Sequence, residues 1–493
     1  MSLRIFSIAT ATLLALTPCS QAQHAVQAWL TTPDKTSMLK RQPAIKWHKA
    51  PATAAPQGIT LDDSKTYQTI DGFGQAVTGG SAELLMKMSP GARSAILHEL
   101  FGSGPNDIHT SYIRVSVGSS DMNDHAYTYD DLPAGETDPE LKHFSLAEDE
   151  KDVIPVLKEI LAIQPSLKIL ASPWSAPAWM KDNDNLKGGS LKPEFYSTYA
   201  RFWVMYLKAM EERGIHIDTL TPQNEPENPK NTPSMLMTAE QEAEFIGHDL
   251  GPALARAGLR TKIVIFDHNC DHPIYPETIL RDPVAAKYVD GSGFHLYLGQ
   301  ISALSEVHDQ FPEKNIYFTE QTVLSRPGST TFAIARPVAG IMIAAPDNWS
   351  RNVLLWNLAA DPNNGPHTSN GGCPICSGAI TIDGDKVTRL IAYYTEAHAS
   401  KFVPPGSVRI DSGESPTLDL NRRHATDAGR AANPDLATPA DKPLPHVAFR
   451  TPDKHHVVIV SNTSPDQRTV TLRFGRKQAE ATLPAGSVAT YVF

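Results

Sequence analysis

The sequence predicts an α/β protein: a (β/α)₈ barrel of the TIM type with a side β-sandwich. Three observations predict it. Between about residues 69 and 400, eight short apolar runs alternate with amphipathic helical runs. After about residue 445 the pattern changes to alternating strands joined by turn residues, with too little sequence between them for parallel crossovers. Two further strand-like runs, "VQAWLTT" and "GITLDDSKTYQT", stand ahead of the barrel.

Residues 1–22 open with a basic n-region ending at Arg4, continue as an apolar run to Leu16 and end in small residues around Ala22. That order is the signature of a secretory signal peptide, too short to span a membrane as a mature helix. Pro18 beside Cys19 argues against a lipid-anchored start. A secreted or periplasmic protein is therefore expected, with no stable membrane insertion and no fixed partner chain, hence a monomer. Residues 23–68 supply the two early strands, which are expected to join the C-terminal sandwich and so fold both chain ends into one side domain.

The barrel is placed at 69–405. Its strands are expected in "TIDGFGQAV", "TSYIRVSVG", "LKILASPWS", "IDTLTPQNE", "TKIVIFDHN", "GSGFHLY", "NIYFTEQ" and "NVLLWNLA". Helical runs such as "FYSTYARFWVMYLKAMEERG" lie between them, with an aromatic face that reads as barrel packing and not as a lipid stripe. Residues 406–493 form the C-terminal sandwich domain, entered through a Pro/Ala/Asp-rich linker from about Asp411 to Pro445.

The composition excludes one partner class. A formal charge of −10 gives no clustered cationic face for a phosphate backbone, so no nucleic acid is expected. Export leaves Cys270, Cys373 and Cys376. A lone Cys-Pro-Ile-Cys pair lacks the second ligand pair of a zinc site, so Cys373–Cys376 reads as a local disulfide, with free thiols as the alternative. Cys270 is then unpaired and buried. "DHNCDHP", residues 267–273, gathers two Asp, two His and a Cys, but the residues are consecutive, as in a polar loop after the fifth strand, without ligand spacing. No metal and no cofactor are expected.

Barrels of this kind place chemistry at the C-terminal strand ends. Polar and aromatic residues expected there are Arg114, Asp121, Trp174, Asn224, Glu225, His295, Tyr297, Glu320, Trp356 and Asn357. Glu225 ends the fourth run and Glu320 the seventh, strands that face one another across the mouth. Pro226 ends the fourth run and stiffens the loop that aims Glu225. Two convergent carboxylates among aromatic faces and amide or imidazole donors suit cleavage of a glycosidic bond. Arg114 is expected to keep Glu320 ionised as the attacking group, and that charge to keep Glu225 protonated as the acid. Two other readings stay open: a carbohydrate-binding protein on an inactive barrel, and a metal-dependent barrel hydrolase.

In "QNEPEN", "DGFGQAVTGGSA", "ASPWSAPAWMK", "FHLYLG", "YFTEQ" and "WNLAADPNNGP" the sequence resembles glycoside hydrolase family 30. The family includes glucosylceramidases and endo-β-1,6-glucanases. The resemblance implies a retaining mechanism with Glu225 as acid/base and Glu320 as nucleophile. It implies that Asn224 meets a sugar 2-hydroxyl, that Trp174 and Trp356 wall the sugar site, that His295 and Tyr297 line the cleft, and that Arg114 and Asp121 belong to the site. Glucosylceramidase-like members carry Asp after "GFGGAMT", where this chain has Gly79. A β-1,6-linked glucan or a related β-glucoside is the expected substrate, with glucosylceramide as the nearest alternative.

Overall fold

A computed structural model describes residues 25–51, 58–324, 332–418, 420 and 442–493. The expected signal peptide and most of the linker lie outside the described residues.

The eight expected barrel strands form at Gly72–Val77, Tyr112–Ser116, Lys168–Ser172, Thr219–Leu220, Lys262–Cys270, Val289–Gly299, Asn315–Glu320 and Ser350–Leu355, and they close into one all-parallel barrel. Both faces of these strands are buried, mostly by apolar side chains on the face that the helices cover. In the helix Tyr196–Glu212, Tyr199, Phe202, Trp203, Tyr206 and Met210 are buried, a stripe at three- and four-residue spacing. The aromatic face therefore packs against the barrel.

Two strands depart from expectation. The fourth is paired only over Thr219–Leu220, so Glu225 stands on the loop beyond it, not at its last residue. The fifth runs on through Asp267 to Cys270, so the expected polar loop at 267–273 is largely strand. It is paired with the sixth strand through register shifts around Asp267. Phe266 and Asp267 have φ of 73° and 49°, unusual for residues with a Cβ. This bulge breaks the two-residue alternation of facing.

The chain ends meet in an 11-stranded sheet domain. Ala25–Thr31 lies antiparallel to Val488–Val492, and Ile59–Thr69 pairs with Val408–Asp411 and with Arg468–Phe474. This is the expected joining of early and late strands. His398, on the helix Ile391–Ser400 that packs on the barrel, bridges Thr31 Oγ1 at 2.8 Å and Thr490 Oγ1 at 2.9 Å.

Candidate active site

Six of the barrel's strands and the segments that follow them converge on one charge network at the mouth. Arg114, fully buried on the second strand, is its centre. Its Nη1 donates to Glu320 Oε2 at 2.5 Å. Its Nη2 donates to Asn224 Oδ1 at 2.7 Å and to Asp267 Oδ2 at 2.6 Å. Tyr297 donates to the other Glu320 oxygen, Oε1, at 2.8 Å. Bonds to a charged partner are the strong class, so Glu320 is fixed at both oxygens.

His295 joins the two carboxylates. Its Nδ1 stands 3.1 Å from Glu225 Oε1 and 3.9 Å from Glu320 Oε1, and its Nε2 stands 3.1 Å from Asp267 Oδ1. Asn228 Nδ2 donates to Glu225 Oε2 at 2.7 Å. Glu225 itself has φ of 44°, and its backbone N–H donates to the Asp267 carbonyl at 3.0 Å. The left-handed turn after Asn224 swings the carboxyl toward His295, and that backbone bond pins it.

The two tryptophans expected to wall the site come together beside this network. Trp174 and Trp356 have ring centroids 5.2 Å apart, and the Arg114 guanidinium lies 4.9 Å from the Trp174 ring. Cys373 and Cys376 are joined by a disulfide that belongs to one apolar cluster with the two tryptophans, Ala76 and Met122. Cys270 is free and buried. Asp121 is buried, and burial together with the charges of Glu320 and Glu225 raises its carboxyl well above the usual range. The nine residues to which the resemblance gives a site role are therefore gathered at this mouth.

The proton distribution differs from expectation. Burial opposes charge on Glu225, but its hydrogen bond to His295 and that ring's charge bring the carboxyl down to about 2. Burial and the Glu225 charge push Glu320 up against the pull of His295 and Arg114. Burial would neutralise His295, yet Glu320, Asp267 and Glu225 hold its proton up to about 9. The surrounding charges thus favour a proton on His295, one hydrogen bond from the Glu225 carboxyl expected to carry it. Three carboxylates around one ring favour the imidazolium, Glu320 first and then Asp267 at the far nitrogen, which the expectation left out.

Asp267 and His268 are the residues missed. Asp267 accepts from Arg114, from Ser172 Oγ at 2.8 Å and from Thr221 Oγ1 at 2.7 Å. Burial works against its charge, but Arg114 and His295 hold it well below the usual carboxylate range. His268 Nδ1 stands 3.9 Å from Glu225 Oε1. Glu225, His268 and His295 also offer three donor atoms within 4.8 Å of one another, the set at this mouth that could hold a metal. The signal that could have found Asp267 was its place directly after "IVIF", at the end of an apolar run.

Gly79 has a local cause. A Cβ there would lie 1.9 Å from Asn123 Nδ2, so the asparagine side chain occupies the space a larger residue would need. Asn123 Oδ1 is held by the Ser120 N–H at 2.9 Å.

A closed parallel barrel with paired carboxylates, an arginine–imidazole charge network and a tryptophan wall at its mouth defines a glycoside hydrolase. Residues 70–403 match the model of the glycosyl hydrolase family 30 TIM-barrel domain, and residues 432–491 match that of the glycosyl hydrolase family 30 beta sandwich domain. The chain belongs to glycosyl hydrolase family 30. It is 33% identical to an endo-1,6-beta-D-glucanase of Aspergillus fumigatus, over 90% of this chain and 89% of that one. It is 30% identical to the lysosomal acid glucosylceramidase of Mus musculus, over 84% of this chain and 79% of that one. Among solved structures it is similar to the endo-beta1,6-glucanase BT3312, with a TM-score of 0.81 and 32% identity, covering 95% of this chain and 99% of that one.

Proposed function

We propose that the protein is an exported, retaining endo-β-1,6-glucanase. The observation that carries the mechanism is the single ring nitrogen, His295 Nδ1, within 4 Å of both Glu225 and Glu320. Sharing one atom suits a close carboxyl pair, about 5–5.5 Å apart in retaining enzymes, better than the wide end of the inverting range.

In the first step Glu320 attacks the anomeric carbon and the bond to the leaving oxygen breaks. That oxygen takes a proton through Glu225, which receives it from His295 Nδ1 across the 3.1 Å bond. The developing positive charge on the sugar is stabilised by Glu320 and the neighbouring Asp267. Once esterified, Glu320 no longer carries the charge that helped hold the proton on His295. The Glu225–His295 pair is then one proton short and takes it from the attacking water, which displaces Glu320 with net retention. Arg114 and Tyr297 fix the nucleophile, and Asn224 offers its amide N–H₂ to a hydroxyl, since its oxygen is held by Arg114.

The linkage is supported by relatives that match along nearly their whole length. Besides those above, a Trichoderma harzianum protein 31% identical over 88% of this chain is named an endo-1,6-beta-D-glucanase. Gly79, with Asn123 in the space beside it, removes the carboxylate that glucosylceramidase-like members place there. One observation favours a second reading, a β-glucoside with an apolar aglycone. Among the described residues, the exposed large hydrophobics are Ile274, Leu298, Leu324 and Ile375, all on segments at or beyond the ends of strands five to eight. Export is supported by the N-terminal sequence pattern. Among the described residues no helix is long and apolar enough to cross a membrane.

Product analysis on β-1,6-glucan, β-1,3-glucan, β-xylan and glucosylceramide in parallel tests the assignment. Short β-1,6-linked oligosaccharides released first as the β-anomer are expected. Preferred turnover of glucosylceramide would move the assignment to the second reading, and α-anomeric initial product would overturn retention.

A further inference from the structure

The loop between the second and third barrel strands carries a second cluster, used by none of the steps above. Asp130 is 1% exposed, yet neither carboxylate oxygen has a hydrogen-bond partner. A buried carboxylate with both oxygens unmet is rare, because its lost hydration is uncompensated. Its backbone is fixed in place: Trp179 Nε1 donates to the Asp130 carbonyl at 3.0 Å.

Two more donors face it. Asp138, also buried, and His143 each offer a ligand atom, and with Asp130 these atoms all lie within 4.8 Å of one another. Asp138 Oδ2 accepts from the His143 backbone N–H at 2.7 Å and stands 2.9 Å from His143 Nδ1. The His143 side chain is 65% exposed and Asp138 only 6%, so the cluster has a buried floor and one side open to solvent.

We propose that Asp130, Asp138 and His143 form a structural site for a divalent first-row transition-metal ion such as Mn²⁺ or Zn²⁺. The free pair of Asp130 oxygens would bind it, Asp138 would supply a second carboxylate and His143 an imidazole nitrogen at the open side. The mixed oxygen and nitrogen donor set selects this class over Ca²⁺ and Mg²⁺, which take oxygen ligands alone. The consequence is mechanical. The same connection carries Asp121 into the active mouth, so an ion here braces that wall of the cleft while taking no part in the reaction.

The test uses the full-length protein stripped with a chelator and dialysed. Titration with Mn²⁺, followed by its electron paramagnetic resonance signal, is expected to show one tightly held ion per chain, displaced by Zn²⁺. Saturating Mn²⁺ or Zn²⁺ should raise Tm by roughly 2–5 °C, and Ca²⁺ at the same concentration should raise it less. Asp130→Asn should abolish the binding and the Tm response. Should that variant fail to fold, His143→Ala, at an exposed side chain, should weaken Mn²⁺ binding at least about tenfold. Two results would overturn the proposal: wild type that binds no more Mn²⁺ than the variants, or Asp130→Asn that is more stable than metal-free wild type and leaves the metal response intact. The first would mean that Asp130 is simply a buried neutral acid.

Discussion

Asp267 Oδ2 accepts from Arg114, Ser172 and Thr221, and Oδ1 faces His295 Nε2. It therefore sets both the orientation of the imidazole and the strength with which the ring keeps its proton. Asp267→Asn keeps the shape and removes the charge, and is expected to lower kcat about 10- to 100-fold. The pH profile should move as well. His295 carries its proton up to about 9 because Glu320, Asp267 and Glu225 surround it, so deleting one negative charge lowers that value. The alkaline limb of kcat against pH should shift toward lower pH, and an unchanged limb would remove His295 from the proton path. Why this residue was hidden in the sequence is clear at the same scale. Alternation puts Asp267 and His268 on opposite faces of a strand, and only the positive φ values at Phe266 and Asp267 bring both to the mouth. Glu225 and Glu320 were legible because polar residues ending apolar runs are conspicuous. The location of the proton was not, since it depends on three carboxylates from separate strands around one ring.

At the scale of elements, the eight alternating runs were legible because burial on both faces leaves a continuous apolar signal. The boundaries were less so: the fourth strand shrinks to Thr219–Leu220, since its neighbours pair with it only there. The loop after the eighth strand shows an element whose job appears only in three dimensions. Its Cys373–Cys376 disulfide shares an apolar cluster with Trp174 and Trp356, so it is placed to brace the surface expected to hold a sugar ring. The double variant Cys373→Ser with Cys376→Ser should raise KM several-fold while kcat changes less than twofold and Tm shifts by only a few degrees. A collapse of kcat with unchanged KM would mean that the loop positions the carboxylates instead of the sugar wall.

For the whole molecule, the union of both chain ends in one sheet was readable from the patterning of the terminal strands, but the bolt between sheet and barrel was not. His398 joins Thr31, near the start of the described chain, and Thr490, near its end, to a barrel helix. Burial lowers its pKa from 6.5 to about 3, so the folded protein holds the ring neutral. As pH falls below 6.5 the unfolded chain takes up this proton first. The residue's contribution to stability is then lost by about 1.4 kcal/mol per pH unit until the folded value is reached. His398→Gln, which keeps donor and acceptor but does not titrate, should flatten the fall of Tm between pH 6.5 and 5 relative to wild type. Parallel Tm curves would show that the ring is not buried neutral between the two domains.

The claim on which the functional account rests is that Glu320 becomes covalently bonded to the sugar while Glu225 and His295 move the proton. A 2-deoxy-2-fluoro glucosyl donor with a good leaving group slows release of such an intermediate, and peptide mapping by mass spectrometry locates the label. The account predicts one glycosyl ester per chain, on Glu320, and slower labelling in Glu225→Gln when the leaving group needs a proton. Label on a different side chain, or complete turnover with no adduct and inverted product, would contradict it.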